Sequence, residues 1–171
     1  FLPKRTSFIS PGGETSNWWT KPPTESKVKL VEEIKNRAKS CISSRNYPEA
    51  IALYSKAISV SSDNGQTAIL YANRSMCQLN ISKTTEAIND ASEAIQLDPN
   101  YVKSYYRLAM AHIQSNSYAQ AKEALQRGLA LKPDDKELLQ QLQRVDERLS
   151  SSSSSTTSVP RASNKVSVSH S

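Results

Sequence analysis

The chain has 171 residues, 37% of them hydrophobic, and a formal net charge of +6. Residues 27–149 hold nearly all the apolar positions and carry 17 Lys and Arg against 14 Asp and Glu, which is too balanced for the dense basic stripe of a nucleic-acid surface. No apolar run approaches the length of a membrane span, and two cysteines among 171 residues do not make a disulfide framework.

In chain order, residues 1–26 are rich in Ser, Thr, Pro and Gly and are expected to form a disordered tail. "FLPKRTSFI" is too short and too interrupted for a signal peptide, and the start at Phe1 rather than Met leaves room for a larger parent protein. Within the tail, the adjacent Trp18 and Trp19 of "NWWTKPP" suit either a short docking motif or a segment folded back on the first helix. From residue 27 the pattern becomes helical. Apolar spacing predicts seven helices at about 27–44, 47–61, 66–80, 84–97, 101–114, 118–131 and 135–149. Residues 150–171, "SSSSSTTSVPRASNKVSVSHS" with the residue before it, are low-complexity and expected to stay unfolded. Cys41 and Cys77 fall inside predicted helices and are expected to be buried thiols. Free thiols and the lack of a signal predict a cytoplasmic protein.

Three stretches repeat: "NYPEAIALYSKAISV", "KTTEAINDASEAIQLDP" and "SYAQAKEALQRGLALKP". Ala50, Ala87 and Ala121 align, as do Ala57, Ala94 and Gly128 seven residues later, at intervals of 37 and 34 residues. Twelve residues before each alanine stand Ala38, Ser75 and Ala109, small enough for helices to approach closely. Ile34, Tyr71 and Tyr105 precede these by four, and Pro99 and Pro133 close the second and third units. A helical period near 34 indicates stacked helix–turn–helix units.

The register of small, bulky and proline positions over about residues 31–134 resembles the tetratricopeptide repeat family. The resemblance implies an all-α fold: three helix–turn–helix repeats and a C-terminal capping helix in a right-handed superhelical array, over residues 27–149. Ser62 departs from the usual proline and Ala91 from the usual large aromatic. Three extra residues in "SSDNGQT" are expected to lengthen the first junction without breaking the stack. After Pro133, Leu138, Leu142, Val145 and Leu149 give the capping helix its apolar face.

The first helix of each unit should line a concave groove. Those helices bear Lys35 and Lys39, then Asn73, then Lys103 and Arg107, and neither cation of the last pair has a carboxylate at helix-pairing distance in sequence. This set resembles the carboxylate clamp of tetratricopeptide co-chaperones, which grips the acidic Glu-Glu-Val-Asp tails of the seventy- and ninety-kilodalton heat-shock chaperones. Lys35, Asn73, Lys103 and Arg107 match that motif in type and position. Lys39 stands where the clamp has asparagine, and it offers no acceptor to a peptide amide. Tyr106, Met110 and Gln114 are placed to shape the groove for a penultimate apolar side chain. The competing reading makes Lys35 and Lys39 a solvated face with Glu32 and Glu33. No Gly-rich phosphate loop, nucleophile with a nearby base, or metal-ligand cluster is present, so no catalysis and no cofactor is expected. The function that follows is an adaptor for chaperone tails. A scaffold for an unrelated peptide, or the recruiting module of a larger phosphatase, prolyl isomerase or ubiquitin ligase, stands as the alternative.

Overall fold

The computed structural model describes residues 23–153; both predicted tails, with Trp18 and Trp19, lie mainly or wholly outside them. Seven helices follow one another: α1 (Pro23–Ser43), α2 (Tyr47–Val60), α3 (Asn64–Asn80), α4 (Thr84–Leu97), α5 (Val102–Gln114), α6 (Tyr118–Leu131) and α7 (Lys136–Ser153). Among the described residues there is no strand, and no helix is long and apolar enough to cross a membrane. Each helix packs on the next, and α3 also touches α5 directly, so the first helices of the second and third units lie side by side.

The aligned small residues are what let the pairs close. Ala38, Ser75 and Ala109, together with Ala50, Ala87 and Ala121, are all completely buried. Ser75 adds a polar tie, donating its hydroxyl to the Ala87 carbonyl of α4 at 2.8 Å. At Gly128 the approach is tightest, since a Cβ there would stand 3.1 Å from both Tyr105 Cβ and Leu138 Cδ1. Helices α5, α6 and α7 therefore converge on a residue without a side chain. The capping face is in place: Leu138 and Val145 are buried, with Leu142 and Leu149 packed beside them.

The first junction is a correction to the expected longer turn. It spans only residues 61–63, whereas the later junctions span 98–101 and 132–135. The extra residues enter α3, which has 17 residues against 13 in α5. The cause is a cap: Asp63 Oδ1 accepts from the Gln66 amide at 2.6 Å and starts the helix early. Thr67 fastens the corner by donating to the Asp63 carbonyl at 2.6 Å. Helices α1 and α7 likewise outrun their expected ends, by four residues each, beyond the 27–149 boundaries.

Within each unit the turn between helices is the same device three times. Arg45, Ser82 and Asn116 all have positive φ, at 57°, 60° and 58°. After each, the next amide reaches back to close the helix: Asn46 to the Cys41 carbonyl at 2.8 Å, Lys83 to Gln78 at 2.9 Å and Ser117 to His112 at 2.8 Å. This is a Schellman cap, which ordinarily places glycine at the left-handed position. Left-handed backbone costs a residue with a Cβ about 1–2 kcal/mol. Ser82→Gly should therefore stabilise the domain by roughly 0.5–1 kcal/mol, after subtracting the entropy glycine adds to the unfolded chain. Urea unfolding of the two proteins measures the difference, and a lowered midpoint would contradict it.

One internal tie was not anticipated. Arg74 on α3 forks onto Asp90 of α4, with Nε donating to Oδ2 and Nη2 to Oδ1, both at 2.7 Å. Its remaining Nη1 donates to Ser55 Oγ of α2 at 2.8 Å. The guanidinium also lies over the Tyr71 ring, 5.2 Å from its centroid. Hydrogen bonding to Asp90 raises the Arg74 pKa above its ordinary value against the opposing effect of burial, so the group is charged in place. Three helices of two adjacent units are joined at one guanidinium.

Candidate peptide-binding groove

The five clamp candidates sit on α1, α3 and α5, and they differ in what already holds them. Lys103 is exposed and makes no ion pair among the described residues. Arg107, one turn on, is partly buried and lies 5.5 Å from the Tyr106 ring centroid. Asn73 is half-buried on α3 with no hydrogen-bond partner for its amide among the described residues. Lys35, by contrast, is paired with Glu32 at 2.5 Å, as the solvated-face reading has it. Glu32 is 47% exposed, and a surface pair of this kind is worth about 0–1 kcal/mol, so it yields easily to a better acceptor. Lys39 is exposed, its ammonium 3.5 Å from Asn36 Oδ1.

Two depressions meet at Arg107. The first, about 360 Å³, lies between α3 and α5 and is floored by Met76, Leu79, Met110 and Ile113. Tyr106, Met110 and Gln114, the three residues expected to shape the groove, all line it beside Arg107. Gln114 is held there: its amide donates to the Leu79 carbonyl and its oxygen accepts from Thr84, each at 3.3 Å. The second depression, about 400 Å³, places Lys103, Tyr106 and Arg107 opposite Asp135, which precedes α7, and Glu137 of α7. Asp135 is already occupied, accepting from Lys132 Nζ at 2.9 Å and from the Glu137 and Leu138 amides at the start of α7. Lys35, Lys39 and Asn73 line neither depression. The structure thus groups Arg107 with the three groove-shaping residues and Lys103 with Arg107 and Tyr106, and it leaves Lys35, Lys39 and Asn73 apart.

Tyr71 and Tyr105, the bulky residues of the second and third units, both pack. Tyr105 is buried and donates to the Pro99 carbonyl at 2.9 Å, while Tyr71 packs against Ala68, Ala72 and Ala94 under Arg74. His112 is half-buried on α5, and desolvation lowers its pKa against the pull of Glu123.

The charge of Arg107 is felt across the core. It opposes, without overcoming, the burial that pushes the Cys77 thiol up to about 11. Cys77 is completely buried, whereas Cys41, also expected to be buried, is only partly so because it packs at the edge of the α1–α2 core. The thiolate is the reactive species. Near neutral pH, iodoacetamide should therefore label Cys41 and spare Cys77 until the domain unfolds, which peptide mass mapping with and without urea would read. Equal labelling of both in the folded protein would refute the burial of Cys77.

Comparison with known proteins agrees with this geometry. The tetratricopeptide repeat profile matches residues 82–145. Over 116 residues, 68% of the chain, the protein is 35% identical to serine/threonine-protein phosphatase 5 of Rattus norvegicus. Over 121 residues, 71% of the chain, it is 32% identical to the Hsp70-Hsp90 organizing protein of Triticum aestivum. The matched regions are 23% and 20% of those proteins, so the chain spans only a small part of either. Among solved structures, the second TPR domain of the human RPAP3 protein, in complex with the HSP70 peptide SGPTIEEVD, superposes with a TM-score of 0.65 at 29% identity. That match covers 70% of this chain and 98% of that domain. Seven helices in three like pairs plus a cap, the recurring small residues and these matches lead to one conclusion: the described residues form a tetratricopeptide repeat domain.

Proposed function

We propose that the concave face of this domain binds the free C-terminus of an acidic peptide of the Glu-Glu-Val-Asp class, which makes the protein a non-catalytic adaptor for heat-shock chaperones of the seventy- and ninety-kilodalton classes. The observation that carries this reading is the pair Lys103 and Arg107. They are stacked on one helix face and make no ion pair among the described residues; both line one depression, and Arg107 also borders the neighbouring one with the apolar floor. A terminal carboxylate beside an Asp side chain presents two anions a few ångströms apart, and this pair offers donors to both. Asn73 supplies a further unengaged amide on the adjoining helix, and Lys35 and Lys39 add positive charge from α1. The Met76, Leu79, Met110 and Ile113 floor suits an apolar side chain of the bound peptide. The RPAP3 domain, bound to a peptide ending in these four residues, and the Hsp70-Hsp90 organizing protein support the assignment by likeness. The phosphatase relative supports a second arrangement, in which the same groove serves as the recruiting part of a longer enzyme.

The test is fluorescence anisotropy with labelled SGPTIEEVD as the free acid and as the C-terminal amide. The free acid should bind with a dissociation constant on the order of micromolar. Binding should weaken as salt rises and disappear on amidation, because only the charged terminus engages the cations. Equal binding of acid and amide would transfer the groove to a peptide of another kind.

A further inference from the structure

Helix α7 does more than cap the stack. Adding the 34-residue period to Lys103, Arg107, Met110 and Gln114 gives Glu137, Gln141, Arg144 and Arg148, so α7 continues the row of groove-facing first helices in register. The structure bears this out in space. Glu137 lines the depression shared with Lys103, while Gln141, Arg144 and Arg148 line a third depression of about 420 Å³ with Met110, Ile113 and Tyr118. Met110 and Ile113 belong to both the first and the third depression, so the groove runs on from the apolar floor to the two arginines. Arg144 and Arg148 are exposed, four residues apart, and make no ion pair among the described residues. Glu147, the acid in that depression, accepts from Gln143 at 3.2 Å.

We infer that Arg144 and Arg148 form a second anion subsite for the same peptide, reading acidic side chains upstream of its last four residues. This rests on the proposed binding of a free acidic C-terminus. The reach agrees. From Lys103 to the level of Arg148 is about 16 Å of helix rise and, at right angles to it, one interhelical spacing of about 10 Å, or about 19 Å on the diagonal. An extended peptide covers that in about six residues. The carboxylates therefore belong at the sixth and seventh positions from the end, with an apolar fifth residue over the Met110 and Ile113 floor. Arginine suits the task because its planar fork takes a carboxylate on two donors. The consequence is selectivity: tails that share the terminal four residues are sorted by the charge that precedes them.

The experiment compares SGDDIEEVD with SGSSIEEVD, both free acids, on the full chain and on its Arg144→Gln/Arg148→Gln variant. Both arginines are exposed, so the variant should keep its helicity, which circular dichroism checks. The wild-type protein should favour the Asp-Asp peptide by about tenfold at low salt, and the variant by less than twofold. Its affinity for SGSSIEEVD should change little. Equal affinity of the wild type for the two peptides, or a preference that survives in the variant, overturns the subsite while leaving the terminal carboxylate site standing. Failure of wild type to bind either peptide overturns both.

Discussion

Arg74→Leu should cost the domain about 3–5 kcal/mol, because it strands the Asp90 carboxylate without its partner. Asp90 is 6% exposed, and both of its oxygens accept only from Arg74 in the described structure. Water cannot replace the lost donors without opening the α3–α4 contact. Domains of this size are stable by about 5–15 kcal/mol, so the variant should melt on the order of 10–20 °C lower. The double variant Arg74→Leu/Asp90→Leu should recover much of the loss, since two apolar side chains need no donors. A melting temperature for Arg74→Leu within about 3 °C of wild type would show that the pair contributes little.

Lys103→Ala and Arg107→Ala should each weaken binding of the free-acid tail by about ten- to a hundredfold, and together should abolish it. A charge-assisted hydrogen bond to a carboxylate contributes about 1.5–3 kcal/mol, and each 1.4 kcal/mol is a factor of ten. Lys103 is exposed and unpaired, so its removal leaves no buried group orphaned, and its melting temperature should match wild type. Arg107 is partly buried against Tyr106, so a small loss of stability should accompany the loss of binding. Anisotropy titrations beside thermal melts separate the two effects. Wild-type affinity in either variant would remove that residue from the site.

Most of the helical frame was legible in the sequence because it rests on recurrence. Small residues at fixed intervals and apolar rows at helical spacing are local signals, and the small side chains they named at Ala38, Ser75, Ala109, Ala50, Ala87 and Ala121 are fully buried. The three left-handed turns were not legible, since the usual glycine is replaced by Arg45, Ser82 and Asn116. The early start of α3 was visible in principle: Asp63 precedes the helix and stands three residues before Gln66, the capping spacing, but it was read as part of a loop. The Arg74–Asp90 pair joins residues 16 apart on different helices, which no single-helix pattern reveals. In the groove, the row from Lys103 to Gln114 could be read from four-, three- and four-residue spacing alone. That Glu32 occupies Lys35 could be read only as one of two options, because the spacing permits pairing without requiring it.

The largely neighbour-to-neighbour packing of the helices has a mechanical consequence. α1 is joined to the rest chiefly through α2, whereas the first helices of the next two units touch. A chain built this way peels from its ends, one hairpin at a time, and among the described residues no substantial contact fastens the first hairpin to the third. A peptide held at once by Lys35, Asn73 and Lys103 would be that missing brace. Its terminus would act as a cross-link between segments nearly seventy residues apart, so that occupancy of the groove would turn a chain of separable links into a single cooperative body.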